Sequence, residues 1–403
     1  MNRVISRSFL LLISIAFIFS LTIFPISFNS VYSQPANSLI TEVRGVWLTN
    51  VASGVLFVPW GIERAIHQLA QLNFNTIYPV VWNRGTTFYH SSYAKRFTGL
   101  KTQPFLDFMN GGNDVLTKIV TLAKNQNMSV IPWFEYGFMT PTNSALAKLH
   151  PEWLTSSTKV VNFVYENLPE EINNGITKQL SWLNPLHPQV QKFILGLILE
   201  VVENYDVNGI QIDDHFGMPV QFGYDKFTVN LYKQEHLGKS PPDDFFDKKW
   251  MRWRANKITN FMVQINQEVK KIKPNVRISL SPNSQSFSYK YYLQDWDTWI
   301  NNNLVDELIL QVYRDNIKAF ITEIEKPTVQ SAINKIPVSI GISTGTLANP
   351  VEIEKVKEQV QIVRNHKFTG MSFFYWESLW GYISPESPQT RRNAFLEMFT
   401  NRT

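Results

Sequence analysis

No cysteine occurs among the 403 residues. That excludes disulfides, thiol nucleophiles, cysteine-ligated metal and lipidation of a cysteine in one stroke. Charge is scarce as well. Only 18% of residues are Asp, Glu, Lys or Arg, against 44% hydrophobic ones, so the chain does not have a disordered composition over most of its length. The net charge is +5, of which Arg3 and Arg7 supply two, leaving +3 for the chain beyond residue 33. Such a mild excess lacks the basic footprint of a nucleic-acid-binding protein. No short repeat, phosphate-binding glycine loop, dinucleotide fingerprint or Ser-His-Asp order is visible.

Aromatic residues are plentiful. They make up 14% of the chain, with 12 Trp, enough for a large core and a ligand cleft besides. The first 33 residues stand apart. Arg3 and Arg7 precede an uncharged run, FLLLISIAFIFSLTIF, and then VYSQ with Val31 and Ser33 before a cleavage point. This layout predicts a secretory signal peptide over 1–33, with a retained membrane anchor as the alternative. Either way the remainder, 34–403, is expected to be exported, in the periplasm or cell envelope. It touches a membrane only through that segment if uncleaved.

Beyond residue 40 extended apolar runs alternate with amphipathic ones. Strands are predicted at 42–50, 75–82, 129–136, 208–215, 276–282, 305–313, 336–343 and 368–377. Helical patterns follow at 61–73, 114–127, 188–205, 223–237, 247–273, 291–302, 317–333, 350–366 and 385–399. Eight strand–helix units predict a single α/β domain, a (β/α)8 barrel, in preference to an open doubly wound sheet. A long insertion after the third strand, 137–187, is rich in Trp, Pro and Leu and predicts a wall of the cleft.

Barrel active sites sit at the carboxyl ends of the strands. In the fourth unit, NGIQIDDHF, alternation puts Ile210 and Ile212 on one face and Gln211 and Asp213 on the other, inward face. Asp214 and His215 follow at the strand's edge. The same count brings Glu135 to the end of strand three, Gln311 and Tyr313 to strand six, Trp82, Asn83 and Arg84 to strand two, and Trp376 and Glu377 to strand eight. Carboxylates among amides and aromatics suit carbohydrate chemistry, in which two acids flank a glycosidic bond. Asp213 is the expected nucleophile or base and Glu135 the general acid, its pKa raised by Trp133 and Phe134; Asp214 and His215 would tune or position. Gln211, His215, Asn83, Arg84 and Gln311 are the expected polar contacts to substrate. Trp82, Tyr313, Trp376 and Trp380 are the expected sugar platforms, and Glu377 reads as structural. Asp213, Asp214 and His215 could instead ligate a divalent ion, but adjacent residues rarely all face one ion, so neither metal nor cofactor is expected.

The segments VRGVWLTN, NTIYPVVWNRGTTFYHS, HPEWL, WLNPLHPQVQKFILGLILEVVENYDVNGIQIDDHF and GMSFFYWESL resemble the glycosyl hydrolase-like 10 family, exported bacterial proteins with a glycoside-hydrolase-type barrel. The resemblance runs from about residue 42 to 399 and is most specific from Trp182 to Phe216. The family includes a division-associated hydrolase of peptidoglycan glycan strands, so the resemblance implies glycan hydrolysis in the cell envelope. The fourth-strand acid also looks like the nucleophile position of amylase-type barrels. Departures are present. This chain has Asn208 where members often have Asp, Trp82 where they often have Arg, and WFEYGF where many have W-x-N-P-Y-R, so Glu135 stands at their Asn. The expected partner is a polysaccharide substrate. The rival expectations are a non-catalytic glycan-binding barrel and a metal-dependent hydrolase or deacetylase.

Overall fold

The computed structural model describes residues 42–157, 180–381 and 383–400. The predicted signal peptide lies outside them. Eight parallel strands form a closed barrel: β1 Val43–Leu48, β2 Thr76–Asn83, β3 in two pieces (Ser129–Val130 and Trp133–Phe134), β4 Gly209–Asp213, β5 Arg277–Ser281, β6 Glu307–Gln311, β7 Val338–Ser343 and β8 Gly370–Phe374. Each pairs with its sequence neighbour, and β1 also pairs with β8, which closes the ring. The strand order read from the sequence is therefore the observed one.

The interruption of β3 falls at Ile131–Pro132. Pro132 has no N–H to give the ladder, yet its carbonyl still accepts from Gln211 N at 2.8 Å, so β4 stays in register. The last predicted strand is shorter than expected. It ends at Phe374, and Trp376–Trp380 forms a helical turn.

Helices wrap the ring. Helix α1 (Pro59–Gln71) begins on a proline, whose missing N–H costs nothing at that position, and buries Ile62, Ala65, Ile66 and Leu69, the face the sequence periodicity marks. Helices α2 (Val115–Asn125), α3 (Pro188–Asn204), α4 (Lys248–Ile272) and α5 (Ile353–Asn365) continue the outer layer in the same way. Among the described residues no helix is long and apolar enough to cross a membrane.

Inside the barrel, large and small side chains oppose one another. Trp47 and Tyr78 pack 5.2 Å apart, centroid to centroid. The strands beside them carry Gly45, Gly341 and Ser372; a Cβ on Gly45 would strike both Ser372 and the Tyr78 ring. Trp47 Nε1 donates to Gln211 Oε1 at 2.7 Å, and Gln211 Nε2 donates to Ser279 Oγ at 3.0 Å. This wholly buried amide thus has partners at both ends, which offsets a desolvation penalty of about 1–3 kcal/mol for an unpaired group. It ties β1, β4 and β5 together one layer beneath the mouth.

Candidate active site

At the carboxyl ends of β3 and β4 three acids meet. Trp133 pairs with Gln211 and Phe134 with Ile212, so the next residues, Glu135 and Asp213, stand side by side on neighbouring strands. Neighbouring strands lie about 4.8 Å apart, so the two carboxyls are close neighbours at the strand ends. The backbone N–H of Tyr136 donates to Asp213 Oδ2 at 3.3 Å. Asp213 Oδ1 accepts from Ser281 Oγ at 3.3 Å and from Gln311 Nε2 at 3.2 Å. Glu135 Oε2 accepts from Asn83 Nδ2 at 2.8 Å and from Thr49 Oγ1 at 3.0 Å. No Lys or Arg lies within ion-pair reach of either acid among the described residues.

Asp214 has a different setting. Its Oδ2 accepts from Asn283 Nδ2 at 2.6 Å, and its Oδ1 sits 2.6 Å from His215 Nδ1. That last contact is an ion pair whose N–H direction is off the hydrogen-bond line. His215 Nδ1 is also 3.5 Å from Asp213 Oδ2.

These surroundings spread the titrations. Burial, then the charge of Asp213, pushes Glu135 up to about 8, outweighing the hydroxyl and amide that favour its anion. Burial, then Asp214, raises Asp213 to about 6, with His215 opposing. Burial works against the charge of Asp214 too, but the His215 cation outweighs it and holds that acid below its ordinary value. Burial likewise disfavours a charged His215, yet Asp214 and Asp213 lift it to about 10. Glu135 therefore holds its proton more strongly than Asp213 does, and Asp214 and His215 form an ion pair beside them. Two carboxyls pushed apart in this way are the signature of an acid and a base in one site.

A cavity of about 390 Å³ opens over this cluster, lined by Arg84, Tyr136, Trp182, Asp214, His215, Asn283, Tyr292, Gln311 and Tyr313 among others. Described parts of the long insertion supply one wall. Met139–Pro141 pairs antiparallel with Leu180–Trp182, and Trp182 Nε1 donates to Gly217 O at 2.8 Å. Glu135 and Asp213 do not line the cavity; they are 4% and 3% exposed and lie beneath its floor.

Of the residues singled out from the sequence, Arg84, Asp214, His215, Gln311 and Tyr313 line the cavity, and Asn83 donates to Glu135. Three expectations need correction. Gln211 does not face substrate: both ends of its amide are taken up inside the barrel. Trp82 points outward, packing 5.7 Å from Phe193 of α3, because the β2–β3 register shifts between Val80 and Trp82 and reverses the alternation there. Trp376 and Trp380 pack on each other at 5.2 Å in a buried turn beyond β8. Glu377, in that turn, takes the Ser53 hydroxyl, and burial raises it to about 7. Thr49, Tyr136, Trp182, Asn283 and Tyr292 were not anticipated. Only Asn283, just past a strand end in LSPNS, carried a readable signal.

Asp213, Asp214 and His215 offer ligand atoms within 4.8 Å of one another. His215 would have to lose a strongly held proton to bind an ion, and as the residues stand the imidazolium already neutralises the pair.

The family model of glycosyl hydrolase-like 10 proteins matches residues 42–363. Glycosyl hydrolase DigH of Escherichia coli (strain K12) is 23% identical over 376 residues, covering 77% of this chain and 75% of that protein. Glycosyl hydrolase YngK of Bacillus subtilis (strain 168) is 23% identical over 268 residues, covering 60% of this chain. The chain spans only 45% of the length of YngK. Among solved structures, the PgaB (BpsB) glycoside hydrolase domain from Bordetella bronchiseptica superposes with a TM-score of 0.62 at 11% identity, over 90% of this chain and 99% of that one. The catalytic domain of β-amylase from Paenibacillus polymyxa gives 0.56 at 12% identity, over 90% and 99%. At such identities these two likenesses concern the fold.

Proposed function

The chain belongs to the glycosyl hydrolase-like 10 family, and from that premise we propose that it is an exported hydrolase of glycosidic bonds in a cell-envelope polysaccharide, with peptidoglycan glycan strands as the first substrate to test. The observation that carries the reading is the pairing of two buried carboxyls, Glu135 and Asp213, on neighbouring strand ends at the barrel mouth, where burial raises both. In the proposed division of labour, Glu135 delivers its proton to the departing glycosidic oxygen, and Asp213 acts on the anomeric carbon directly or through water. Asp214 and His215 would keep a balanced charge pair beside them. Trp182, Tyr292 and Tyr313 offer aromatic faces to sugar rings, and Asn283 and Gln311 offer amides to hydroxyls.

A second assignment rests on one observation: Asp214 lines the cavity, whereas Asp213 and Glu135 lie under its floor. In that version Asp214 is the acid that meets substrate and Asp213 supports it. The deciding experiment incubates the purified protein with glycan strands, with and without attached peptides, and identifies products by mass. Wild type should release shortened saccharides and Asp213→Asn should not. Equal product from both would end the Asp213 assignment, and no product from wild type on any envelope glycan would end the hydrolase reading.

A further inference from the structure

Arg84 is the one arginine or lysine among the described residues that line the cavity. Inward-reaching arginines elsewhere are matched. Arg364 pairs with Glu42, Arg277 with Glu307, Arg314 with Glu323 and Arg391 with Glu386, while Arg254 is surrounded by backbone carbonyls. Arg84 has no acid within ion-pair reach among the described residues. Its guanidinium lies over the Tyr136 ring, 4.8 Å from the centroid, with Nη2 3.4 Å from the phenol oxygen.

The backbone holds this pair deliberately. Arg84 has φ of 49° and Tyr136 has φ of 60°, left-handed values that bulky residues seldom adopt. Each is followed by a glycine that is also left-handed, Gly85 at 78° and Gly137 at 42°. A side chain on Gly85 would strike the Thr140 hydroxyl, and one on Gly137 would meet the carbonyl of His215. Two neighbouring loops are thus bent so that one stacked cation stands on the cavity wall. One Nη2 N–H reaches the Tyr136 oxygen; the other N–H groups of the guanidinium have no acid partner among the described residues, and such an edge can meet a carboxylate with two parallel hydrogen bonds.

We propose that Arg84 receives a carboxylate of the glycan, so that the polysaccharide bound in this cavity is an acidic one, with an anionic group on its repeating unit. The inference rests on the reading of the cavity as a glycan site. His215 on the same cavity is already taken up by Asp214 at 2.6 Å, which leaves Arg84 as the cation on that wall without an acid partner among the described residues.

The test uses the full chain carrying Asp213→Asn, with titration calorimetry. Two acidic probes cover the two sources of a sugar carboxylate: a tetrasaccharide bearing lactyl ethers on alternate N-acetylated sugars, and tetragalacturonate. Each is compared with its own carboxyl-reduced form. At least one acidic probe should bind about tenfold more tightly than its reduced partner, as charge-assisted pairing supplies. Adding Arg84→Gln should bring that ratio to about one, and Arg84→Lys should restore part of it. A merely structural arginine would weaken both members of a pair alike. A ratio near one with Arg84 present, a ratio that survives Arg84→Gln, or no binding of any probe would each overturn the proposal. The hydrolase reading fails separately, if protein with Asp213 intact binds the acidic probe selectively and leaves it uncut.

Discussion

The two ends of the barrel treat buried acids in opposite ways. At the amino-terminal end Glu307 meets Arg277 at 2.9 Å, and Glu42 is held by Arg364 at 2.8 Å and Arg44 at 2.9 Å. Burial would raise Glu42, but the two guanidinium groups outweigh it and hold the acid below its ordinary value. At the carboxyl end no lysine or arginine comes within ion-pair reach of Glu135 or Asp213 among the described residues; the His215 imidazole 3.5 Å from Asp213 opposes the rise without cancelling it, and both acids are raised. The residue type is the same; the cation supply differs. One end uses carboxylates as ties between strands and helices, and the other leaves them raised, as the proposed acid–base role requires. The same contrast separates conserved geometry for stability from loops for chemistry in barrel enzymes generally.

The largest break of this contrast comes from Asp213→Asn. Glycan hydrolysis should fall by roughly a thousandfold or more, the scale of losing an acid–base group, while the thermal midpoint moves only a few degrees. Glu135→Gln works on stability with the opposite sign. Folded Glu135 holds its proton up to about 8, whereas the unfolded chain releases it near 4.5, so the folded state binds more protons across that window. Stability from this group is present below pH 4.5 and is lost as pH rises to 8. Glutamine removes that dependence. The variant should therefore gain on wild type progressively from about pH 5 and reach roughly 5 kcal/mol above pH 8, read from urea unfolding at several pH values. Activity should move the other way: the alkaline limb near 8 should disappear together with most of the rate. At the opposite end, Arg277→Met should leave Glu307 buried without its cation and lower stability by about 2 kcal/mol, with kcat of the folded protein unchanged. A large activity loss there, or a stability loss at Glu135, would dissolve the distinction between the two ends.

Much of this was legible beforehand, and the failures have physical causes. Alternation along NGIQIDDHF correctly turned Asp213 inward, because β4 is a regular strand paired on both sides. The same rule failed at Trp82, where the register shift after Val80 turns the indole onto α3. It failed at Trp376 because β8 ends two residues earlier than its hydrophobic run suggests. Gln211 was placed correctly but given the wrong partner: nothing in a strand pattern reveals that Trp47, 164 residues away, will take its carbonyl. Tyr136 and Trp182 reach the cavity through loop conformations, and a left-handed tyrosine leaves no compositional mark beyond the glycine after it.

The smallest expected effect tests whether the mouth gives up stability for its geometry. Arg84 is exposed, makes no ion pair among the described residues, and occupies a left-handed conformation that glycine adopts without strain. Arg84→Gly should relieve about 1 kcal/mol of backbone strain. The lost stacking on Tyr136 returns about half of that, since an exposed cation–π contact is worth roughly 0.5–1 kcal/mol. The net change expected is a stability gain of a few tenths of a kcal/mol, measured by chemical unfolding with Arg84→Ala as the control that loses the side chain but keeps the strain. Alanine should therefore be the less stable of the two by close to 1 kcal/mol. If the two variants unfold alike, the backbone at residue 84 is not strained, and the mouth differs from the base of the barrel in its charges alone.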